Sequence, residues 1–448
     1  MSVTERDTAR PPRIAIWGHY HGSNLGDDVV VEAIAENLRR RLPDVDLYGI
    51  CLDPADTRQR HGFEAVPLRR YVERGEGAGA LDQTADRVKE RLGGTLRRWP
   101  KVRAAAHAAR ATMDALRSAA QEPGFLWRSY KRLKGTDVVV VAGSGTVGDD
   151  WHGPWSHPYT ILKWTLLARA ARAEWVFLSV GAGPINHRLS RLMLRAALRG
   201  AAHQSYRDES SARWIEGLRR NGSAPAVVPD LAFSLEPPSL PQRDRGETVI
   251  GLNPIPFYDD RYWPRADAEI YRRHVDRVAQ FALWALESGR RLVLLYSQTL
   301  ADPRVSEDLV RRLEELGVAR DDPRIERPEI ETTADLFDAI ARCDYVVGGR
   351  FHCILLPYLS GRAAVGLAYH QKSFDLLAYL GLPDLCLDVA SFEPEELRER
   401  ALQLEAGYDD AVRNARTLLP ALRERLDREY DIVTAIATAR AARRAAGS

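Results

Sequence analysis

Short runs of Val, Ile and Ala end repeatedly in glycine-rich turns, and each turn opens into a helical stretch. This alternation constrains the fold of the 448-residue chain more than any other feature. Arg13-Ile14-Ala15-Ile16-Trp17-Gly18 reads as a first strand. The loop His19 to Gly26 follows, then a helix with apolar positions at Val30, Ala33, Ile34 and Leu38, and a second strand over Asp46–Ile50. Apolar runs without polar alternation suit strands buried on both faces, and the helices between them supply parallel crossovers. The unit recurs at Thr136–Ala142 with Gly143-Ser144-Gly145-Thr146, at Trp175–Val180 with Gly181-Ala182-Gly183-Pro184, at His203–Tyr206 and briefly at Val227-Val228. A second series runs through Thr248–Leu252, Arg291–Tyr296, Asp344–Gly348 and Ala363–Leu367. The expectation is an α/β chain of two doubly wound, Rossmann-like domains facing each other across a cleft, with ligands between them.

The length exceeds one ordinary core, so two domains are expected. The first covers 1–235, and 236–247 is a proline-containing, charged linker. The second covers 248–395, and Arg/Ala-rich helices over 396–448 are placed to cross back onto the first. Residues 71–134 carry 14 basic and 7 acidic side chains and read as inserted helices. Their surface is either a solvated cover for the sheet or a contact for an anionic membrane or lipid-linked substrate. A net charge of +2 gives no electrostatic case for nucleic acid. The four cysteines (Cys51, Cys343, Cys353, Cys386) form no CxxC or Cys/His cluster, which argues against zinc or a disulfide framework. Met1 to Pro12 lacks a signal-peptide core and no run of 18 apolar residues occurs. The expected location is the cytoplasm, with peripheral contact at the inner face of the membrane left open.

The segment Val346-Val347-Gly348-Gly349-Arg350-Phe351-His352 carries the densest chemistry. Gly349 permits close backbone approach, and a helix opening at Phe351 offers unpaired N–H groups to an anion. Arg350 can grip a phosphate or carboxylate with two parallel hydrogen bonds, and His352 can carry a proton near neutral pH. Four more strand ends are polar in the same way. Asn24-Leu25-Gly26-Asp27-Asp28 offers Asn24 for a hydroxyl, and Asp27 as a helix cap or a base. Gly143-Ser144-Gly145-Thr146 is a short loop without the Lys-Ser/Thr ending of a P-loop. Tyr206-Arg207-Asp208-Glu209-Ser210 and Tyr369-His370-Gln371-Lys372 add two cations. Arg207, Arg350 and Lys372 together suit a compact polyanion.

In their order, these segments resemble the polysaccharide pyruvyl transferase family. The motifs are N-x-G-D at Asn24–Asp27, R-D-x-x-S beginning at Arg207, Pro229-Asp230, G-x-R-x-H at Gly348–His352 and Y-x-x-K at Tyr369–Lys372. The resemblance implies a fold similar to the GT-B glycosyltransferases. It also implies transfer of pyruvate from phosphoenolpyruvate to two sugar hydroxyls, giving a cyclic ketal and phosphate. It associates Arg207, Arg350 and His352 with the phosphoenolpyruvate site, on the second domain, and leaves the acceptor to the first. The chain departs from the family's Gly-Gly-Gly run at Ser144, which bears on the acceptor, as do Ser144 and Gly145 as substrate contacts.

The roles expected on this basis are His352 as general acid and Asp27 or Asp230 as base. Arg207, Arg350, Lys372, Gly349, Phe351 and Asn24 hold substrate. His352 needs a carboxylate partner that sequence does not identify. No cofactor is required and no ligand cluster demands a metal, although phosphate chemistry tolerates a divalent ion. The acceptor is a sugar, a nucleotide sugar or a lipid-linked glycan. Trp151, Trp155 and Tyr159 are candidates to stack on it. The competing readings are a GT-B glycosyltransferase using a nucleotide sugar, a pyruvyl-type transferase acting on a small biosynthetic intermediate, and a non-catalytic anion binder.

Overall fold

A computed structural model of the protein describes residues 10–70, 121–143, 145–149, 153–218, 225–238, 246–263 and 265–446. Ser144, Trp151, most of the 71–134 insertion and the middle of the 236–247 linker lie outside the described residues. Among the described residues, no helix is long and apolar enough to cross a membrane.

Two parallel sheets carry the fold. The first contains β1 (Arg13–Trp17), β2 (Asp46–Cys51), β3 (Glu64–Pro67), β4 (Val138–Val141), β5 (Glu174–Val180), β6 (His203–Tyr206) and β7 (Ala226–Val227), in the order β3-β2-β1-β4-β5-β6-β7. The second contains β8 (Val249–Asn253), β9 (Arg291–Leu294), β10 (Ile325–Glu326), β11 (Tyr345–Gly348), β12 (Ala363–Ala368) and β13 (Cys386–Asp388), in the order β10-β9-β8-β11-β12-β13. Both orders reverse beside the first strand of the series, which is the switch point where doubly wound sheets bind ligands. β1 pairs in register with β2 (Ile14 with Leu47) and with β4 (Ile14 with Val138). All four β4 residues are valines with buried side chains, as a central strand covered on both faces requires.

The helices of the first half are α1 (Leu25–Arg41), α2 (Pro54–His61), α3 (121–133), α4 (His157–Ala170), α5 (Arg188–Leu198) and α6 (Glu209–Glu216). Those of the second half are α7 (Ala268–Glu287), α8 (Asp302–Glu315), α9 (Thr333–Ala341), α10 (Phe351–Leu359), α11 (Gln371–Tyr379), α12 (Pro394–Ala406) and α13 (Tyr408–Ala446). The sequence reading lacks α2, β3, β10 and β13. α2 is charge-dense with Thr57 as its single buried residue, and the strands are two to four residues long. Neither leaves a hydrophobic period to detect.

α13 begins at the second domain and ends on the first sheet. At 39 residues it is about 58 Å long. Arg41 donates to Asp431 at 2.7 Å, Glu429 meets His203 at 2.7 Å, and Arg444 reaches Asp137 at 2.7 Å. Tyr430, on the inner face of the helix, is fully buried. The helix therefore straps the two halves together with a mixed apolar and ionic seam.

Candidate active site

The site forms where the carboxyl ends of both sheets face each other. β1 leads into the loop that carries Asn24, which caps α1. Its side-chain oxygen accepts from the Gly26 N–H at 3.2 Å, and its amide donates to Asp27 at 2.8 Å. The cap expected at Asp27 is thus at Asn24, three residues earlier, and Asp27 falls in the first turn of the helix. β6 delivers Arg207, and Asp208 caps α6 by accepting from the Ser211 N–H at 2.7 Å. After β7, Asp230 accepts from the Ala232 N–H at 3.0 Å and from Arg207 Nη1 at 3.2 Å.

The second domain answers with the ends of β11 and β12. The Gly349 N–H donates to the Asn253 carbonyl at 3.1 Å, and a Cβ there would stand 2.6 Å from Ile255 Cγ2. Gly349 is needed for this packing, and its N–H is spent on Asn253 rather than held open for substrate. The Arg350 N–H donates to Asn253 Oδ1 at 2.9 Å. The N–H groups of Phe351, His352 and Cys353 open the first turn of α10 and have no acceptor among the described residues.

Arg350 is the main departure from expectation. The sequence groups it with Arg207 and Lys372 around one anion. In the structure its guanidinium is buried against Asp302, with Nη2 at 2.6 Å and Nε at 3.1 Å from Oδ1. The hydroxyls of Tyr262 and Tyr369 also face it. A carboxylate at the start of α8 therefore holds this arginine away from the cavity. Asp302 in turn accepts from the Gln298 N–H at 3.1 Å and sets the 297–299 loop. That loop crosses to the first domain, where Ser297 accepts from the Leu25 N–H at 2.8 Å and Thr299 donates to Ser23 at 3.0 Å. Arg350 thus braces the contact between the domains at the site.

His352 completes that contact. A Cβ on Gly26 would lie 2.0 Å from its Nδ1, so only glycine fits beneath the ring. Its Nε2 is buried without a hydrogen-bond partner and stands 4.0 Å from Asp230 Oδ1. Asp230 is the carboxylate that sequence could not name. Burial lowers His352 to about 4; Asp230 works against the shift, while Lys372 and Arg207 add to it.

Arg207 and Lys372 flank the Phe351 ring, with the guanidinium carbon 5.7 Å and the ammonium 5.2 Å from its centroid. Arg207 is ion-paired with Asp230, whereas Lys372 makes no ion pair among the described residues. Burial first, and Arg207 second, lower the Lys372 ammonium. Both cations line a cavity of about 730 Å³ with Asp230, Phe351, Leu422 and Arg425, so both domains and α13 contribute to one enclosure. Gly145 is exposed. Its Cα would lie 3.1 Å from a Cβ on Gly181, the same Cβ that would meet Arg207 Nη2 at 2.7 Å. Gly181, Asp302 and Tyr262 are residues that the motifs do not reveal, since only the fold brings them to Arg207 and Arg350, and Tyr369, which the Y-x-x-K motif contains, gains its contact with Arg350 in the same way. Trp155 is exposed and 5.8 Å from Tyr159.

Asp27 faces a small separate void beside His19 and Ala142. It is pushed up to about 7, first by burial and then by Asp28, against the pull of Lys372, Asn24 and Arg207. Because its folded value exceeds its unfolded one, ionising Asp27 costs stability. The cost is absent below about pH 4 and complete above about pH 7. Asp27→Asn is therefore expected to raise the melting temperature at pH 8 and leave it nearly unchanged at pH 4, measured by thermal unfolding across that range. A shift of equal size at both ends would remove the buried carboxylate as its cause.

The fold has solved relatives of low identity. UDP-GlcNAc 2-epimerase from Neisseria meningitidis is 10% identical with a TM-score of 0.50, over 95% of this chain and 98% of that one. Anabaena HepE, solved with UDP and glucose, is 13% identical with a TM-score of 0.52, over 97% and 100%. A glycosyltransferase from Rickettsia africae is 7% identical with a TM-score of 0.52, over 95% and 97%. These relatives place the architecture in the GT-B-like class. No curated protein sequence matches the chain. Residues 24–371 match the polysaccharide pyruvyl transferase family, a span that runs from Asn24 of the first motif to one residue short of Lys372. With that match over most of its length, the chain belongs to the polysaccharide pyruvyl transferase family.

Proposed function

We propose that the protein transfers pyruvate from phosphoenolpyruvate to two hydroxyls of a sugar, forming a cyclic ketal and releasing phosphate. The observation that carries this reading is the pairing of Lys372 and Arg207 across Phe351, at the open N-terminus of α10, on a cavity of about 730 Å³. Phosphoenolpyruvate is a small ligand with a carboxylate and a phosphate. Two cations and three free N–H groups match both. The volume lies within the usual range for ligand sites and leaves room for part of a sugar.

In this reading His352 protonates the methylene carbon of the donor, which makes C2 electrophilic. A first sugar hydroxyl bonds to C2. That hydroxyl gives its proton to Asp27 as the C–O bond forms; a second hydroxyl then displaces phosphate, and its proton leaves with the phosphate or returns to His352. In the free protein His352 is neutral at pH 7. A bound anion beside it offsets Lys372 and Arg207 and raises its proton affinity, so the donor itself arms the acid. Asp27, at about 7, titrates where a general base works best, and the Asp230 charge favours the protonated form of His352. The acceptor is a free, nucleotide-linked or lipid-linked sugar, and a metal ion is no part of the proposed steps.

Calorimetric titration with phosphoenolpyruvate tests the reading. The wild type is expected to bind it, and Lys372→Ala to bind at least about tenfold more weakly, since one charge-assisted partner is lost. Binding of a UDP-sugar with no binding of phosphoenolpyruvate would move the protein to the glycosyltransferases.

A further inference from the structure

Among the described residues Arg69 has no counter-ion, and its contacts are to neutral groups. It follows β3 at the carboxyl edge of the first sheet, where ligands of such sheets bind. Its Nη2 contacts His19 Nε2 at 2.9 Å and Ser156 Oγ at 3.4 Å, and both partners are neutral. Its Nε is buried with no hydrogen-bond partner, and burial lowers the guanidinium from its ordinary value. No carboxylate pairs with it among the described residues. A half-buried guanidinium held by an imidazole and a hydroxyl is costly unless an anion arrives.

The neighbours extend the same chemistry. His19 stacks on His157, with centroids 4.1 Å apart and planes at 4°. Its Nε2 accepts from Arg69, so its Nδ1 carries the proton, and that atom is buried without a partner. Thr146 is 2% exposed, and its hydroxyl is likewise buried without a partner. His157 is bonded through Nδ1 to the Thr146 carbonyl at 3.1 Å and sits in the first turn of α4. Ser156, at the N-cap, makes no side-chain cap bond there. Three donors with no partner among the described residues, from the ends of β1, β3 and β4, thus belong to one cluster, joined by the Arg69–His19, Arg69–Ser156, His19–His157 and His157–Thr146 contacts.

We propose that Arg69, His19 and Thr146 form a second anion subsite, which takes the phosphoryl group of a phosphate-linked acceptor. His19 shares a small void with Asp27, whose charge is felt by Lys372 and Arg207, so the subsite lies on the first-domain side of the site. The assignment rests on the pyruvyl-transfer reading for the word acceptor, but the anion subsite itself does not. A nucleotide sugar and a sugar on a lipid diphosphate share this chemistry.

The test is calorimetry with inorganic pyrophosphate on the full chain, in the presence and absence of saturating phosphoenolpyruvate. The subsite predicts that pyrophosphate binds with the donor present. Arg69→Gln is expected to weaken it about tenfold or more while phosphoenolpyruvate affinity stays within about twofold. Arg69→Lys, which keeps the charge, should recover part of the loss and guards against misfolding, as do unchanged melting curves. Pyrophosphate affinity unaffected by Arg69→Gln, or pyrophosphate fully displaced by phosphoenolpyruvate, would overturn the subsite. If phosphoenolpyruvate fails to bind at all, the donor reading falls and the Arg69 comparison still stands. UDP and a short prenyl diphosphate in micelles, titrated against the same variants, distinguish a nucleotide from a lipid carrier.

Discussion

Arg350→Ala is expected to destabilise the fold by about 3–5 kcal/mol, because it leaves Asp302 charged, fully buried and unpaired. Asp302 has no exposed side-chain surface, and Arg350 holds it with a two-pronged contact from Nη2 and Nε. The same change loosens the 297–299 loop, which donates and accepts across the domain boundary at Leu25 and Ser23. Denaturant unfolding of the variant checks the size of the loss. The double variant Arg350→Met, Asp302→Leu should recover a large part of it, since replacing both ions leaves no orphaned charge. A variant as stable as the wild type, with phosphoenolpyruvate affinity lost instead, would return Arg350 to the role of anion grip that its motif suggests.

His352→Asn is expected to lower kcat by about 10²–10⁴-fold while phosphoenolpyruvate affinity changes by no more than a few-fold. The ring is wedged over Gly26 with one nitrogen unpartnered and Asp230 at 4.0 Å, so its proton affinity is set by charge rather than by a fixed bond. Donor binding should draw a proton onto it. Calorimetry in buffers of different ionisation enthalpy should therefore report proton uptake with the wild type that is reduced in His352→Asn by the share belonging to the imidazole. Equal uptake in both proteins, with turnover intact in the variant, would remove His352 as the acid.

The local character of the elements was legible in the sequence. His203–Tyr206 occupies the span read from its pattern, the helix that opens at Phe351 does so as read, and β5 differs from its reading by one residue at its start. A four-valine strand, or a strand running into Gly348-Gly349 and an apolar helix, has few other ways to bury its surface. The ordered motifs also named residues that the fold gathers, since Asn24, Arg207, Asp230, His352 and Lys372 act on one another's charges across the domain boundary.

Tertiary structure alone decided the partners. Asp302 pairs with Arg350 across 48 residues, and Asp230 meets His352 across more than a hundred. No periodic pattern encodes such a pairing, because it depends on how two sheets are placed rather than on local geometry. That placement turned Arg350 from a ligand grip into a brace and committed the Gly349 N–H to Asn253. It also left Lys372 and Arg69 as cations with no counter-ion among the described residues. A sequence declares which groups carry charge. Only the fold decides which charges are already neutralised, because the cost of an unpaired ion is set by the water and carboxylates that the packed chain removes or supplies.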